Sequence, residues 1–347
     1  MEPISPRDPD WPALLARLPA HSPFVRPEWC YLLQRYLDGY SAASLRLRSG
    51  STFWILPGLL LRKPLSLRSF QSLPFGTHGG LLGDEPPPPP LLADLLSHLK
   101  HAVGPWITIT PDPLAPQPPP PGFRARYTTT HVLDLSAGYR VLWDRSFSRN
   151  LRNQVRKAEK LEILVRPTTG REILADFQLL WRQMQDRRRL ALPFTTTFWG
   201  ALFTQPWCKL YAARLAEQTL AVAVVLLGKK QAHWWQGVVD RSAGPLNPNR
   251  LLVARVIEDL CGLGIERFDL GGSEGQPGLA QFKEAFGALE TPVVHWRHTP
   301  AWAIWSSAPW SHGAPSPQPS PPGRGGESGT KPPHPTPESG GKPPHSN

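Results

Sequence analysis

The sequence has few cysteines, few methionines and fewer acidic than basic side chains. Its three cysteines, Cys30, Cys208 and Cys261, lie far apart and form no CxxC or Cys/His pattern, which argues against a zinc finger and a disulfide framework. No apolar run approaches the ~20 residues that cross a bilayer. The opening, MEPISPRDPDW, lacks the basic and apolar stretches of a signal peptide. We therefore expect a cytoplasmic protein with no transmembrane segment and no bound metal.

Basic side chains are concentrated in one region. The 347 residues carry a formal net charge of +11. Between Ser136 and Leu190 there are thirteen lysines or arginines and six acidic residues, a local net charge of +7. Such an excess suggests a partner with phosphates or an anionic surface, and tRNA and an anionic membrane surface both qualify. The alternative is a solubilising surface without a specific partner.

The two ends of the chain differ from its middle in composition. Residues 301–347 are rich in Pro, Gly, Ser, Lys and His, and from Ala314 onward they offer nothing to bury. Such a composition cannot offset the entropy of ordering, so we expect a disordered tail. Residues 1–11 are predicted to be a flexible start. The remaining length is enough for two domains of ordinary size.

Strand and helix patterns follow one another through these two domains and predict an α/β fold. The clearest run is three antiparallel strands, then a helix, then a short strand that ends at Asp269. The predicted strands of this run are 209–215, 220–227, 232–239 and 265–268, with a helix at 249–261 and a last strand at 291–298. The predicted elements of the first half are a helix at 27–36, a hairpin at 44–61, a helix at 91–102 and strands at 106–110 and 128–135.

The segment from Trp143 to Leu161 is predicted as one long amphipathic helix. At 100° per residue, it has one apolar side and one basic side. The apolar side consists of Leu151, Val155 and Ala158. The basic side consists of Arg149, Arg152, Arg156 and Lys160. We predict that the basic side binds phosphates, such as those of tRNA, and the alternative is a helix face that only contacts solvent.

The stretch from Gly264 to Gly287 combines a short strand, a glycine-containing loop and a short helix. Asp269 ends the strand, and Lys283 lies on the helix. Because loops on a rigid scaffold usually carry chemistry, this stretch is a candidate edge of an active site. The alternative is an ordinary strand–turn–helix unit in which Lys283 faces solvent.

Two motifs in this stretch, FDLGG at 268–272 and FKEAFG at 282–287, resemble the C-terminal signature of the Fem-type aminoacyltransferases, a branch of the GNAT acyltransferase superfamily. The motifs SPF at 22–24 and LPFGTHGG at 73–80 resemble that family's N-terminal half. This resemblance implies two tandem GNAT-like domains, each with a mixed, mostly antiparallel sheet flanked by helices. We predict a degenerate N-terminal domain at 12–136 and an acyltransferase domain at 137–300.

The resemblance also implies an activity, the transfer of an acyl or aminoacyl group to an amine acceptor such as a peptidoglycan precursor, another cell-envelope precursor or a peptide. Amine attack on an ester or thioester needs a deprotonated amine, a stabilised oxyanion and a proton for the leaving group. Lys283 is the candidate for charge stabilisation, and Asp269 is the candidate for orienting the amine or accepting its proton. The residues expected to bind substrate are Phe75, Gly79, Gly80, His233, Trp235 and Arg250.

The acyl donor is less well defined by the sequence. The segment PLNPNRLL at 245–252 lacks the glycines of the loop with which acetyl-CoA-dependent GNAT enzymes bind pyrophosphate. We therefore expect no bound cofactor, and aminoacyl-tRNA or acyl-CoA as co-substrate. Two alternatives stay open. One is a catalytically inactive GNAT-like scaffold that binds RNA or anionic surfaces, and the other is an acetyl-CoA-dependent small-molecule N-acetyltransferase.

Overall fold

The computed structural model describes residues 1–62, 67–189, 192–273 and 275–299. The predicted disordered tail, 301–347, lies outside the described residues. The strands are β1 (Glu2–Pro3), β2 (Tyr40–Ala42), β3 (Leu45–Ser49), β4 (Thr52–Leu56), β5 (Leu59–Arg62), β6 (Arg68–Gln71), β7 (Trp106–Ile109), β8 (Arg124–Asp134), β9 (Leu164–Thr168), β10 (Cys208–Leu215), β11 (Gln218–Leu227), β12 (Gln231–Val239), β13 (Arg267–Asp269) and β14 (Leu289–His298). The helices are α1 (Asp10–Arg17), α2 (Pro27–Tyr36), α3 (Pro89–Val103), α4 (Tyr139–Val141), α5 (Arg149–Lys160), α6 (Gly170–Arg188), α7 (Thr196–Phe203), α8 (Pro248–Gly262) and α9 (Pro277–Glu284).

Eleven of these strands form one continuous sheet in the order β2-β5-β6-β7-β14-β8-β13-β12-β11-β10-β9. Two parallel pairs interrupt the antiparallel pattern, β6 with β7 and β12 with β13. In each pair a helix, α3 or α8, connects the two strands, as parallel pairing requires. The same strand–helix–strand unit therefore occurs once in each half of the chain, and the predicted α/β fold with two GNAT-like halves is confirmed.

The two halves exchange their last strands. β8, late in the first half, pairs with β13 of the second half, and β14, at the end of the second half, pairs with β7 of the first half. β8 and β14 also pair with each other, from Leu289 opposite Val132 to Arg297 opposite Arg124. β8 ends just before the predicted domain boundary between residues 136 and 137, and β14 comes at the end of the second half. Together they join the halves into one sheet, and the boundary itself stays a prediction.

Two large apolar cores cover opposite faces of the sheet. Helices α2, α6 and α7 supply one core, which is rich in aromatic rings and includes Trp29, Trp199 and Trp235. Helices α5, α8 and α9 supply the other, which includes Trp234 and Phe268. Side chains alternate along β12, because Trp235 enters the first core and Trp234 the second. Among the described residues, no helix combines the length and apolarity needed to cross a membrane.

The predicted single helix from Trp143 to Leu161 is wrong. The chain forms the short helix α4, then one π-helical turn at Leu142–Ser146, and α5 begins only after Ser148. Ser148 caps α5, because its Oγ atom accepts a hydrogen bond from the Leu151 backbone N–H at 3.2 Å. The Ser148 backbone N–H in turn donates to the Ala285 carbonyl at 2.8 Å, so a contact distant in sequence fixes the break.

Residues 1–11, for which a flexible start stays a prediction, make several contacts with the first half. β1 pairs with β3, and the side chain of Ile4 is buried in the first core. Arg46 contacts Asp8 at 2.5 Å. These contacts join the start of the chain to the three-stranded sheet β1-β3-β4.

Candidate active site

The candidate site lies where the parallel pair β12–β13 ends. The two strands are paired from Gln231 opposite Arg267 to His233 opposite Asp269. β13 ends at Asp269 and continues into the glycine-containing loop, whereas β12 continues to Val239. In sheets with parallel strands, such carboxyl-terminal strand ends are where ligands commonly bind.

The Asp269 carboxylate is held by contacts on both of its oxygens. Oδ1 accepts hydrogen bonds from Thr130 Oγ1 at 2.5 Å and from the Gly271 backbone N–H at 2.7 Å. Oδ2 lies 3.2 Å from His233 Nδ1 and 3.8 Å from His78 Nε2. We call His78, His233 and Asp269 the His–Asp cluster. All three of its side chains are buried, and they come from three separate segments of the chain.

The charges in the cluster depend on one another. Burial alone would raise the pKa of Asp269, but the imidazoles of His233 and His78 hold that pKa well below its usual range. Burial likewise opposes a positive charge on His78, but Asp112 and Asp269 together raise its pKa above the ordinary value. Asp269 is therefore an anion that its neighbours stabilise in a site shielded from water.

The ring nitrogens of the cluster contact carboxylates but make no well-aligned hydrogen bond among the described residues. All four ring nitrogens of His78 and His233 are buried and have no hydrogen-bond partner within the described ranges. The ring of Phe24 packs edge-on against both imidazoles, with centroids 5.1 Å from His78 and 4.7 Å from His233. Since buried polar groups are nearly always hydrogen-bonded, ring nitrogens that have only carboxylate contacts at 3.2–3.9 Å indicate a site that can take up a ligand.

The loop that carries His78 owes its shape to the glycines of LPFGTHGG. A Cβ atom on Gly79 would lie 2.5 Å from Leu73 Cδ1, and one on Gly80 would lie 3.0 Å from Pro111 Cα. The Gly79 backbone N–H donates to the Thr110 carbonyl at 2.8 Å. Gly79 and Gly80, predicted to bind substrate, therefore pack this loop against the end of β7, and the loop presents His78 to the cluster.

Two aromatic residues predicted to bind substrate lie in the first apolar core, and their contact with substrate stays a prediction. The Phe75 ring packs against Tyr40 and Phe194, with centroids 5.7 and 4.9 Å away. Trp235 is fully buried, and its ring centroid lies 5.0 Å from that of Trp29. Trp235 and His233 lie on one face of β12, but only His233 reaches the cluster.

Lys283 lies beneath the glycine-containing loop. Its side chain is fully buried, and Nζ donates hydrogen bonds to the carbonyls of Gly271 at 2.7 Å and Gly272 at 2.6 Å. Burial lowers the pKa of Lys283 to about 7, although Asp269 acts in the opposite direction. The alternative of a solvent-facing lysine is therefore wrong. The role of Lys283 in charge stabilisation stays a prediction, and its hydrogen bonds place the ammonium group against the loop that follows Asp269.

Sequence reasoning missed the second layer of the site. Thr130 fixes the Asp269 carboxylate, and Asp112 Oδ1 lies 3.9 Å from His78 Nδ1. His131 is fully buried on β8, and its Nδ1 lies 3.3 Å from Ser273 Oγ. Burial lowers the pKa of His131, and the positive charge of Lys283 lowers it further. The run TTTH at 128–131 was the available signal, since polar residues in a buried strand call for partners.

Arg250 lies beside a separate pocket of about 250 Å³. Its guanidinium donates to Asn247 Oδ1 at 3.1 Å and lies over the ring of Phe282, 5.8 Å from the centroid. The pocket lies between the first turns of α5 and α8 and the helix α9, and Ser148, Gln154 and Gln281 contribute polar atoms to it. Arg250, which was predicted to bind substrate, therefore lines this pocket and not the His–Asp cluster.

The basic side of α5 is less uniform than predicted. Arg149, Arg156 and Lys160 are exposed, and Arg156 lies 5.7 Å above the ring of Trp143. Arg152 is half-buried and donates to the carbonyls of Trp143 at 3.1 Å and Phe147 at 2.6 Å. Arg152 therefore stabilises the turn before α5, which leaves the other three residues as the solvent-facing basic surface.

A second group of arginines was not predicted as a site. Arg187 and Arg188 end α6, and Arg241 follows β12. Burial lowers the pKa of Arg188, and the charges of Arg187 and Arg241 lower it further. Mutual repulsion of three guanidinium groups is relieved when an anion binds between them.

Comparisons with known proteins agree with this description. Residues 145–284 match the family model described as an acetyltransferase (GNAT) domain. No curated protein sequence matches the chain significantly. Among solved structures, FemX has 14% sequence identity and a TM-score of 0.67, with 88% of this chain and 99% of FemX covered.

Two further structures share the fold across both halves. One is the C-terminal domain (DUF2156) of a proposed lysylphosphatidylglycerol synthetase from Agrobacterium fabrum, with 14% identity, a TM-score of 0.58 and 85% and 92% of the two chains covered. The other is a tandem GNAT protein from the clavulanic acid biosynthesis pathway, with 14% identity, a TM-score of 0.50 and 86% and 98% covered. Residues 145–284 thus match a GNAT domain, and the whole chain shares the tandem fold of these structures.

Proposed function

We propose that the protein is an N-acyltransferase that moves an acyl or aminoacyl group onto an amine of a cell-envelope precursor. The observation that carries this proposal is the His–Asp cluster, which ends the parallel pair β12–β13 inside the GNAT-matching region. The cluster combines a buried anion with two imidazoles whose ring nitrogens are unsatisfied by the described residues. Such a site can bind an ammonium group and take up its proton.

The reaction follows from that chemistry. The acceptor amine attacks the carbonyl carbon of an ester or thioester, so that a C–N bond forms and a C–O or C–S bond breaks. We propose that Asp269 orients the amine, and that the proton lost from nitrogen passes to His233 and then to the leaving oxygen or sulfur. Lys283 acts as a positioning residue, since its hydrogen bonds to Gly271 and Gly272 fix the loop beside Asp269.

For the donor, we propose an aminoacyl-tRNA in preference to an acyl-CoA. At the start of α8, Pro248 has no N–H, and the N–H groups of Arg250 and Leu251 already donate to the Asn247 carbonyl at 3.1 and 3.3 Å. Few backbone donors are left for a pyrophosphate there. The exposed basic side of α5 and the arginines at the end of α6 instead offer contacts to successive phosphates. Arg250 and its pocket can take the polar end of either donor.

For the acceptor, the proposal of an envelope precursor draws on the proteins of similar fold. FemX and the proposed lysylphosphatidylglycerol synthetase share the tandem arrangement at 14% identity, which supports a common scaffold. The motifs FDLGG and FKEAFG extend the similarity to the loop beside Asp269. We propose a cytoplasmic reaction, because charged tRNA and peptidoglycan precursors are both found there.

A transfer assay tests the proposal. The full chain is incubated with a mixture of aminoacyl-tRNAs or with acetyl-CoA, each combined with nucleotide-linked muropeptides or small amines, and products are identified by mass spectrometry. We expect an aminoacylated muropeptide. Transfer from acetyl-CoA to small amines alone would support the small-molecule acetyltransferase. RNA binding without transfer from any donor would support the inactive scaffold.

A further inference from the structure

We propose that the His–Asp cluster is a binding site for a divalent transition metal, with Zn²⁺ as the first candidate. The sequence alone does not indicate this site, because its ligands are not arranged at metal-binding spacings. His78 comes from a loop of the first half, whereas His233 and Asp269 come from adjacent strands of the second half. Only the fold brings their donor atoms within 4.8 Å of one another. This inference goes beyond the proposed transfer reaction and does not depend on it.

The donor set suits such a metal. Two imidazole nitrogens and one carboxylate oxygen form a common ligand set for Zn²⁺, at distances of about 2.0–2.2 Å. The Asp269 oxygen lies between the two imidazoles, 3.2 Å from one nitrogen and 3.8 Å from the other. When an ion binds, the two donor atoms that are farthest apart must approach each other by roughly an ångström. Three protein ligands leave a further coordination position for water or another ligand.

The surroundings orient these donors as a metal site requires. Thr130 and Gly271 occupy Oδ1 of Asp269, so Oδ2 is the oxygen that faces the imidazoles. Asp112 lies on the far side of His78, 3.9 Å from Nδ1, while Nε2 faces Asp269. A carboxylate behind a histidine is the usual arrangement that fixes ring orientation and increases ligand basicity in metal sites.

Metal binding would have two consequences. It would link the loop of the first half to the strands of the second half, so it should stabilise the folded protein by mass action. It would also occupy the lone pairs that the proposed transfer reaction uses for protons. We therefore expect Zn²⁺ to raise the melting temperature and to inhibit transfer.

Metal binding is measured on the full chain after dialysis against a chelator. Isothermal titration with ZnCl₂ gives stoichiometry and affinity, and titration with CoCl₂ gives a visible absorption band whose intensity reports coordination number. We expect one equivalent of tightly bound metal and an intense Co²⁺ band. The tail histidines His312, His334 and His345 are first changed together to alanine, so that they contribute no binding.

Variants then assign the site. His78→Gln and His233→Gln each remove one ligand and should weaken Zn²⁺ binding at least a hundredfold. Asp112→Asn leaves the ligands in place and should weaken it about tenfold to a hundredfold. His21→Gln is the matched control, because His21 is also buried and its Nδ1 lies 2.9 Å from the Ser22 carbonyl oxygen, away from the cluster's ligands. It should bind Zn²⁺ as tightly as the parent protein.

The outcomes separate this inference from the transfer reaction. Absence of stoichiometric binding by the parent protein, or unchanged affinity in folded His78→Gln and His233→Gln proteins, overturns the metal site and leaves the acyltransferase proposal intact. If a ligand variant does not fold, Asp112→Asn and the Co²⁺ spectrum of the parent decide the question. Tight binding that depends on His78 and His233 supports the metal site even if no donor and acceptor pair reacts.

Discussion

The His–Asp cluster and the basic side of α5 both concentrate charge, but under opposite conditions. Asp269 is 4% exposed and lies between two buried imidazoles. Arg149, Arg156 and Lys160 are exposed on a helix surface, where salt screens them. A charge in a buried, prearranged site has large and local effects, whereas exposed charges have small effects that add together. Substitutions in the buried cluster should therefore have larger effects than substitutions on the helix surface.

The largest effect is expected for Asp269→Asn. The amide keeps the size of the side chain but removes the anion that orients the amine and the imidazoles, so turnover should fall on the order of a hundredfold or more, as when a catalytic site loses an essential polar group. The measurement is the rate of transfer under single-turnover conditions. The control is Asp134→Asn, an exposed carboxylate on the neighbouring strand that contacts Arg267. Equal activity of the two variants would remove Asp269 from the reaction.

Lys283→Ala should reduce both stability and turnover. The change leaves the carbonyls of Gly271 and Gly272 without their donor, which costs about 1–3 kcal/mol in the free energy of unfolding. Turnover should fall because the loop beside Asp269 is less well held. Urea unfolding and the transfer assay measure the two effects. Lys157→Ala, on the exposed surface of α5, is the control and should change neither. A stable Lys283→Ala protein would contradict the structural role.

The stability of the protein should also depend on pH through Lys283. Its pKa is about 7 in the folded state, below the value of 10.5 expected for a free lysine. Below pH 7 the side chain is charged in both states and the burial penalty is complete. As pH rises from 7 to 10.5 the unfolded state binds more protons, so stability increases by at most roughly 1.4 kcal/mol per pH unit. Lys283→Ala should therefore be more destabilising at pH 9 than at pH 6. An equal loss in the free energy of unfolding at both pH values would refute the lowered pKa of Lys283.

The smallest effect is expected on the basic side of α5. Changing Arg149, Arg156 and Lys160 together to glutamine should weaken tRNA binding and flatten its salt dependence by up to about one unit of slope per lost contact. Affinities measured at several salt concentrations test this. Arg152→Gln is the informative comparison, because Arg152 binds carbonyls before α5. It should lower stability more than it changes the slope, and a slope unchanged by the triple substitution would indicate a solvent-facing surface only.

The sequence predicted most strands and helices because their patterns are local. Leu151, Val155 and Ala158 recur at helical spacing, and all three are buried. The break before Ser148 was not predictable in this way, because the carbonyl that fixes it belongs to Ala285.

The site was predicted less completely for the same reason. Asp269 and His233 were recognised singly, but their approach to His78 depends on three separate segments meeting. The burial of Lys283 could not be inferred either, since a lysine on a short helix ordinarily faces solvent. The motifs thus located the loop, and the fold determined what each side chain does there.

The exchange of β8 and β14 has a consequence for synthesis of the protein on the ribosome. β7 acquires its second neighbour only when β14 is available, and β14 ends at His298. Until then the first half emerges with an open strand edge, and such edges are prone to pair with other chains. His78 likewise meets its cluster partners only after His233 and Asp269 have been synthesised. The first half alone can therefore complete neither the sheet nor the cluster during translation. A polypeptide truncated before residue 289 would lack β14, the strand that pairs with β7 and β8.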